Sequence, residues 1–259
     1  MSLLAEERKT IIMAEIDEFG QVRVNELAKK FDVSTETIRR YLEELESEKK
    51  LKKVYGGAVK VNDEIGEPTM YEREIIRIDE KKKIANRAIA CIEDRDVIVI
   101  DEGSTTLQMV KGLCEKRNLT VVTNSFPVAS MLMSYSNKQQ FDGEVIFIGG
   151  KVRSLHYRSS GSLSEKIAEE FFPDKAFISA DGIVSKQGVM SFDLEKSLLA
   201  QVYIKNASTS YILADHSKID TKANYRLASM EDIDYIISDI DIPGHWKTVR
   251  GIEDKWLSC

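Results

Sequence analysis

The stretch Val24-Asn25-Glu26-Leu27-Ala28-Lys29-Lys30-Phe31-Asp32-Val33-Ser34-Thr35-Glu36-Thr37-Ile38-Arg39-Arg40 decides the fold of the N-terminal region. Leu27, Ala28 and Phe31 recur at helical spacing and mark one face of a short helix that ends at Asp32-Val33. Ser34 opens the next helix, because its hydroxyl can accept from a backbone N–H left without a partner in the first turn. Ile38, Tyr41, Leu42 and Leu45 share the inner face of that helix. Thr35, Glu36, Arg39, Arg40 and Glu43 therefore face outward.

Upstream, Leu4, Ile11, Ile12, Ile16 and Phe19 recur at helical spacing and Gly20 stops that helix. Val22 and Val24 alternate as a short strand. Downstream, Leu51-Lys52-Lys53-Val54-Tyr55, Gly56-Gly57 and Ala58-Val59-Lys60-Val61 read as a hairpin that turns at the glycines. Residues 1–61 thus read as a winged helix-turn-helix. In that arrangement the start of the second helix reaches base edges in a major groove, and arginine suits guanine or phosphate. Ser34, Thr35, Thr37, Arg39 and Arg40 are the candidate DNA contacts on the helix. Lys52, Lys53 and Lys60 on the wing suit phosphates. By composition alone, a small helical domain with a solvated charged face fits equally well.

Beyond the wing, Asn62-Asp63-Glu64-Ile65-Gly66-Glu67-Pro68 is a polar linker, and a charged helix is expected over 70–92. Residues 62–92 then join two domains. From Asp96 onward, strands expected at 96–100, 119–124, 144–148, 175–180, 210–214 and 234–238 alternate with helices at 105–116, 127–135, 162–172 and 193–207. That alternation predicts a larger Rossmann-like α/β domain over 93–259, with a mostly parallel sheet covered on both faces. Basic and acidic residues balance over 1–62, twelve of each, so the net charge of −6 arises downstream and announces no nucleic-acid binding. The longest purely aliphatic run, Val97–Ile100, falls far short of the ~18–20 residues of a membrane span. Met1–Arg8 turns polar too early for a signal peptide. Cys91, Cys114 and Cys259 form no CxxC pair, and His156, His216 and His245 lie too far apart for a zinc site. A cytoplasmic protein without metal, cofactor or membrane partner is expected.

Asp101-Glu102-Gly103-Ser104-Thr105-Thr106 follows one strand and precedes a helix, where backbone N–H groups and hydroxyls favour an anion. No lysine follows in Walker A spacing and no GxGxxG is present, which argues against a nucleotide. Taken singly, the segment reads more readily as an ordinary capped turn than as an anion site. Thr123-Asn124-Ser125, Gly149-Gly150, Ala180-Asp181-Gly182 and Asp215-His216-Ser217-Lys218 end other strands. Ligands of open α/β sheets sit outside the strands' carboxyl ends, so these polar ends converge on one place.

The Val24–Arg40 stretch, followed by Leu42, Leu45-Glu46 and Gly56-Gly57-Ala58, resembles the DeoR family of bacterial transcriptional regulators. Tyr41 stands where that family has Asp, Lys49 where it has Gly, and Lys53 where it has Arg; Tyr41 is expected to pack or to touch a phosphate. Asp101 to Thr106, Leu119 to Ser125, Gly149-Gly150, Asp174-Lys175-Ala176-Phe177, Asp181-Gly182-Ile183 and Asp215 to Lys218 follow the order of that family's sensor domain. The resemblance implies kinship with sugar-phosphate isomerases of the ribose-5-phosphate type. It also implies a recognition helix over 34–46 and a wing over 51–61. Gly103, Ser104, Thr105, Thr106, Asn124 and Lys218 would hold a phosphate, and Asp101 and Asp181 would meet sugar hydroxyls. Thr123, Ser125, Gly150, Gly182 and Glu195 complete the candidate effector site.

Such isomerases carry an Asp-Gly-Ala-Asp-Glu run. Here it is Asp181-Gly182-Ile183-Val184-Ser185, without the second carboxylate, and the loop Lys186-Gln187-Gly188-Val189-Met190 is largely apolar. Aldose–ketose exchange needs a base beside the substrate carbon, a part that Glu195 could take if it does not bind a hydroxyl. The expectation is a DNA-binding repressor of a sugar uptake or catabolism operon, controlled by a phosphorylated sugar and not an enzyme. Symmetric operators call for a homodimer or homotetramer. The alternative is a sugar-phosphate isomerase fused to a DNA-binding domain.

Overall fold

Asp32 takes a left-handed φ of 50° and Ser34 an extended one, which turns the chain sharply between two helices within Val24–Arg40. The structure is a computed structural model that describes residues 3–48, 50–54, 56–60 and 70–259. Lys49, Tyr55 and the polar linker expected at 62–68 lie outside the described residues, as does the side chain of Lys60. The chain divides into two units, Met1–Ile78 and Asp79–Cys259.

The first unit runs α1 (Leu3–Phe19), β1 (Gln21–Arg23), α2 (Val24–Phe31), α3 (Thr35–Ser47), β2 (Leu51–Val54), β3 (Gly57–Lys60) and α4 (Met70–Ile75). Ile12, Ile16, Leu27, Ile38, Leu42, Leu45 and Leu51 close a common core, as their spacing requires. The three strands pair antiparallel in the order β1-β3-β2, so the hairpin packs beside the helix pair as a wing. Val24 begins α2 rather than extending the strand.

In the second unit α5 (Ile78–Ile89) is followed by β4 (Val97–Ile100), α6 (Val110–Leu113), β5 (Thr120–Thr123), α7 (Phe126–Asn137) and β6 (Glu144–Phe147). Next come β7 (Lys151–Arg153), β8 (Arg158–Ser160), α8 (Ser162–Ala168), β9 (Lys175–Ser179), β10 (Gly182–Val184), β11 (Gly188–Ser191) and α9 (Leu194–Asn206). The chain ends with β12 (Thr209–Leu213), β13 (Tyr225–Ala228), β14 (Tyr235–Ser238), α10 (Ile252–Lys255) and β15 (Trp256–Ser258). The single helix expected over 70–92 is two helices, because Arg77 adopts a left-handed φ of 53° that an α-helix cannot pass through. The helix expected over 105–116 is a tight 3-10 turn, Thr106–Met109, running into α6.

Seven strands form a parallel sheet in the order β15-β14-β12-β9-β4-β5-β6. The chain steps outward from β4 to β6, then returns to the other side of β4 at β9. The loops after β4 and β9 therefore leave in opposite directions and open a crevice at the switch point. Leu199, Ala200 and Tyr203 of α9 pack in one cluster with Val99, Val122 and Ile178 of the sheet. Ile98, Ile100 and Val121, which alternate to the opposite face, are equally sealed from solvent.

Candidate functional site

On α3 the first turn is built by Ser34, whose hydroxyl accepts from the Thr37 backbone N–H at 3.2 Å and lies 3.0 Å from the Thr37 hydroxyl. Thr35 is half-buried. Arg39 and Arg40 stand exposed on the outer face, Arg39 3.4 Å from Glu36. Tyr41 packs: it is buried, receives a hydrogen bond from Arg8 at 3.4 Å, and carries the Arg40 guanidinium 5.9 Å from its ring centre. Lys52 is exposed on the wing, whereas the Lys53 ammonium is 2.7 Å from Glu43. That pairing holds the Glu43 carboxyl below its ordinary range, first through the hydrogen bond and then through the charge.

At the crevice, Gly103 is required by close approach: a Cβ there would lie 2.5 Å from the Ser179 side chain. Ser179 donates to the Glu102 carbonyl at 2.6 Å, so the loops after β4 and β9 are stitched directly together. Three hydroxyls expected at the effector site serve the backbone instead. Thr106 donates to the carbonyls of Asp101 and Gly103 at 2.8 and 3.0 Å. Thr123 donates to the Ile100 carbonyl at 2.7 Å, and Ser125 caps α7 by accepting from Val128 at 3.4 Å. The Ser104 and Thr105 hydroxyls differ, having no hydrogen-bond partner among the described residues. Asn124 donates its amide to the Ser159 carbonyl at 3.1 Å.

Gly150 and Gly182 mark tight packing, against Ser164 and the Thr221 carbonyl respectively. Glu195 lies with Ser160 at 2.7 Å, Arg153 at 2.9 Å and Lys151 at 3.4 Å. The Ser160 hydrogen bond, followed by Arg153 and Lys151, keeps its carboxyl below the usual range despite partial burial. An acid held ionised by two cations is a poor proton shuttle. Lys218 sits half-buried in a short turn after β12, two strands from β4, behind the Asp215 that caps the turn.

Beneath the crevice lies a buried ionic network. Lys196 of α9 places its ammonium 3.0 Å from Asp181 and 3.4 Å from Glu102. Arg158 of β8 donates to Glu102 at 2.6 Å and sits 2.9 Å from Asp193. Asp181 also accepts from the Ser191 hydroxyl at 2.7 Å and the Phe192 N–H at 3.2 Å. Burial, and after it the neighbouring Glu102 charge, pushes the Asp101 carboxyl up to about 7 against the pull of Lys196 and Arg158. Burial and then Asp101 raise the Tyr203 phenol well above its ordinary value. Sequence reasoning overlooked Glu102, Arg158, Lys196 and Tyr203. Glu102 alone carried a signal, through its place in the loop after β4.

The described residues hold no cluster of His, Cys, Asp and Glu arranged for a metal ion, and no helix among them is long and apolar enough to cross a membrane. The DeoR-like helix-turn-helix domain matches residues 8–64, and the DeoR C terminal sensor domain matches residues 76–240. The chain is 33% identical over 253 residues to YulB of Bacillus subtilis, an uncharacterized HTH-type transcriptional regulator, covering 98% of this chain and 95% of that one. It is 31% identical to the HTH-type transcriptional regulator GolR of Listeria innocua, covering 90% of each chain. It is 28% identical to the lactose phosphotransferase system repressor of Staphylococcus aureus, covering 94% of this chain and 96% of the repressor. With a helix-turn-helix and a sensor domain matched in sequence order, the chain is a DNA-binding transcriptional regulator that belongs to the DeoR family.

Proposed function

We propose that this regulator represses a sugar uptake or catabolism operon and leaves its operator when a phosphorylated sugar binds at the carboxyl ends of β4, β5 and β9. On this reading residues 1–61 bind DNA, 93–259 bind the effector, and 62–92 join them. The observation that carries it is the contrast within one loop: Thr106 spends its hydroxyl on the backbone, while Ser104 and Thr105, beside the switch point, leave theirs available. Hydroxyls and backbone N–H groups at such a turn suit a phosphate. The similarity to a lactose phosphotransferase system repressor supports the same class of operon. Ligand-driven release requires that the effector bind the DNA-free state more tightly.

The site works as a sensor rather than an isomerase, since Asp181 is tied to Lys196, Ser191 and Phe192, and Glu195 is held ionised. At least a homodimer matches a two-fold operator, and the protein acts in the cytoplasm, where both DNA and sugar phosphates are found. Fluorescence anisotropy on operator DNA, titrated with a panel of sugar phosphates and their unphosphorylated counterparts, tests the proposal. Release by phosphorylated members alone is expected. Equal release by both sets, or by neither, would refute it, and aldose–ketose turnover would restore the enzyme reading.

A further inference from the structure

Ile100 of β4 pairs in register with Thr123 of β5, so the next residues, Asp101 and Asn124, are neighbours at the carboxyl ends of these strands. Side chains alternate along a strand, which puts both on the face of Val99 and Val122, the face covered by α9. Tyr203 of α9 belongs to that cluster, close enough to Asp101 for the carboxyl charge to act on its phenol. Each of the three side chains has a buried oxygen without a partner among the described residues: Asp101 Oδ2, Asn124 Oδ1 and the Tyr203 hydroxyl. Such atoms are costly and rare in native interiors, so three gathered at one strand end call for a use.

Their chemistry says which use. The Asn124 amide gives one of its two N–H groups to Ser159, and its atom without a partner is Oδ1, an acceptor unsuited to a phosphate. Asp101 accepts when ionised and can also donate when protonated, and burial brings that change near neutrality. Tyr203 supplies a phenolic donor. Two acceptors and a phenol match the adjacent hydroxyls of a polyol, each of which donates one proton and accepts others.

We infer that Asp101, Asn124 and Tyr203 form a hydroxyl-binding subsite under α9 that takes a vicinal diol of the effector, with Tyr203 as its specificity-determining residue. The inference rests on the effector reading above and adds the end of the ligand remote from the phosphate. It moves Asn124 from the phosphate, the role its family resemblance implies, to the sugar chain.

Tyr203→Phe removes the hydroxyl and keeps the ring. Thermal melting of the full chain without ligand gives the first readout. The variant should melt at the same or a higher temperature, because an unpartnered polar atom has gone. A fall of several degrees would mean the hydroxyl is held by the fold and would overturn the subsite. Calorimetry then compares both proteins with glucose 6-phosphate, fructose 1-phosphate, ribose 5-phosphate and inorganic phosphate. The sugar phosphate that the wild type prefers should bind the variant roughly tenfold more weakly, the scale of one lost hydrogen bond, with inorganic phosphate unchanged. Equal affinity of both proteins for that sugar phosphate would overturn the subsite while leaving the effector reading intact. So would a wild type that binds inorganic phosphate as tightly as every sugar phosphate. If the wild type binds none of the four, the effector reading falls and the subsite with it.

Discussion

Arg158 donates to Glu102 across 2.6 Å with both side chains sealed from solvent, although 56 residues separate them in the chain. The contact links the β7–β8 hairpin to the loop after β4, and Lys196 extends it to Asp181 beyond β9. Buried ion pairs add little net stability relative to apolar packing, but removing one partner leaves a charge without compensation. Arg158→Leu should therefore cost about 3–5 kcal/mol, and Arg158→Leu with Glu102→Leu distinctly less. Urea denaturation of the wild type, Arg158→Leu, Glu102→Leu and the double variant checks this. A double variant as unstable as the sum of its single variants would contradict it.

The Asp101 carboxyl, at about 7 in the folded protein against an ordinary 3.8, binds a proton that the unfolded chain has already released. Its contribution to stability is full below the unfolded value and is lost as pH rises through the folded one. Asp101→Asn is neutral throughout and of the same shape. Relative to that variant, the wild type should lose stability from about pH 4 to about pH 7, with a slope of up to about 1.4 kcal/mol per pH unit. Denaturation curves across that window decide it. A wild type that gains on the variant as pH rises would reverse the sign.

Strand positions were legible in the sequence because short apolar runs such as Val97–Ile100 and Thr120–Thr123 end in Asp, Asn or Gly, and all six expected strands lie in one sheet. The break in the 70–92 helix was not, since Arg77 reaches its left-handed φ with no Gly or Pro to announce it. The β7–β8 hairpin also escaped, being three residues on each side with Val152 as its one apolar residue. At the crevice, residue types marked the polar loops at the strand ends but not which hydroxyls the backbone takes up. Thr105 and Thr106 are adjacent and identical, and only the fold turns one inward onto Asp101 and Gly103. Lys196 reads as a solvated helix residue until Asp181 and Glu102 arrive from other strands.

Arg39 and Arg40 stand exposed on α3 while Ile38 and Leu42 hold the helix to its core. Arg39→Ala with Arg40→Ala should abolish specific operator binding and leave the melting temperature nearly unchanged. Each lost base or phosphate contact is worth about 1–3 kcal/mol. Wild-type operator affinity at matched salt would remove these residues from the interface.

Lys52 and Lys53 should behave differently on DNA. Lys52 is exposed, and neutralising it should flatten the salt dependence by roughly one unit for specific and random sequences alike. Lys53 must first leave Glu43, 2.7 Å away. Glu43→Gln releases it and should tighten binding to random duplex, most at low salt. Anisotropy over a salt series checks both, and an unchanged or weakened Glu43→Gln would mean that Lys53 makes no phosphate contact.

Thr105 and Thr106 offer the sharpest internal comparison. Both lie in the loop after β4, and valine preserves the shape of either while removing its hydroxyl. The Thr106 hydroxyl is donated to the carbonyls of Asp101 and Gly103, so Thr106→Val leaves buried acceptors short of a donor. The expected loss is about 1–3 kcal/mol of folding stability, with little change in effector affinity. Thr105 has no such internal partner among the described residues, so Thr105→Val should leave stability nearly untouched. Its loss appears instead at the ligand. A hydrogen bond to a charged group is worth roughly 1.5–3 kcal/mol, so effector affinity should fall about tenfold to a hundredfold. Operator binding without effector should survive in both variants. Denaturation and effector-release titrations on the same two proteins separate the roles. If Thr105→Val destabilises the fold and Thr106→Val blunts the effector response, the phosphate cradle has been assigned to the wrong hydroxyl.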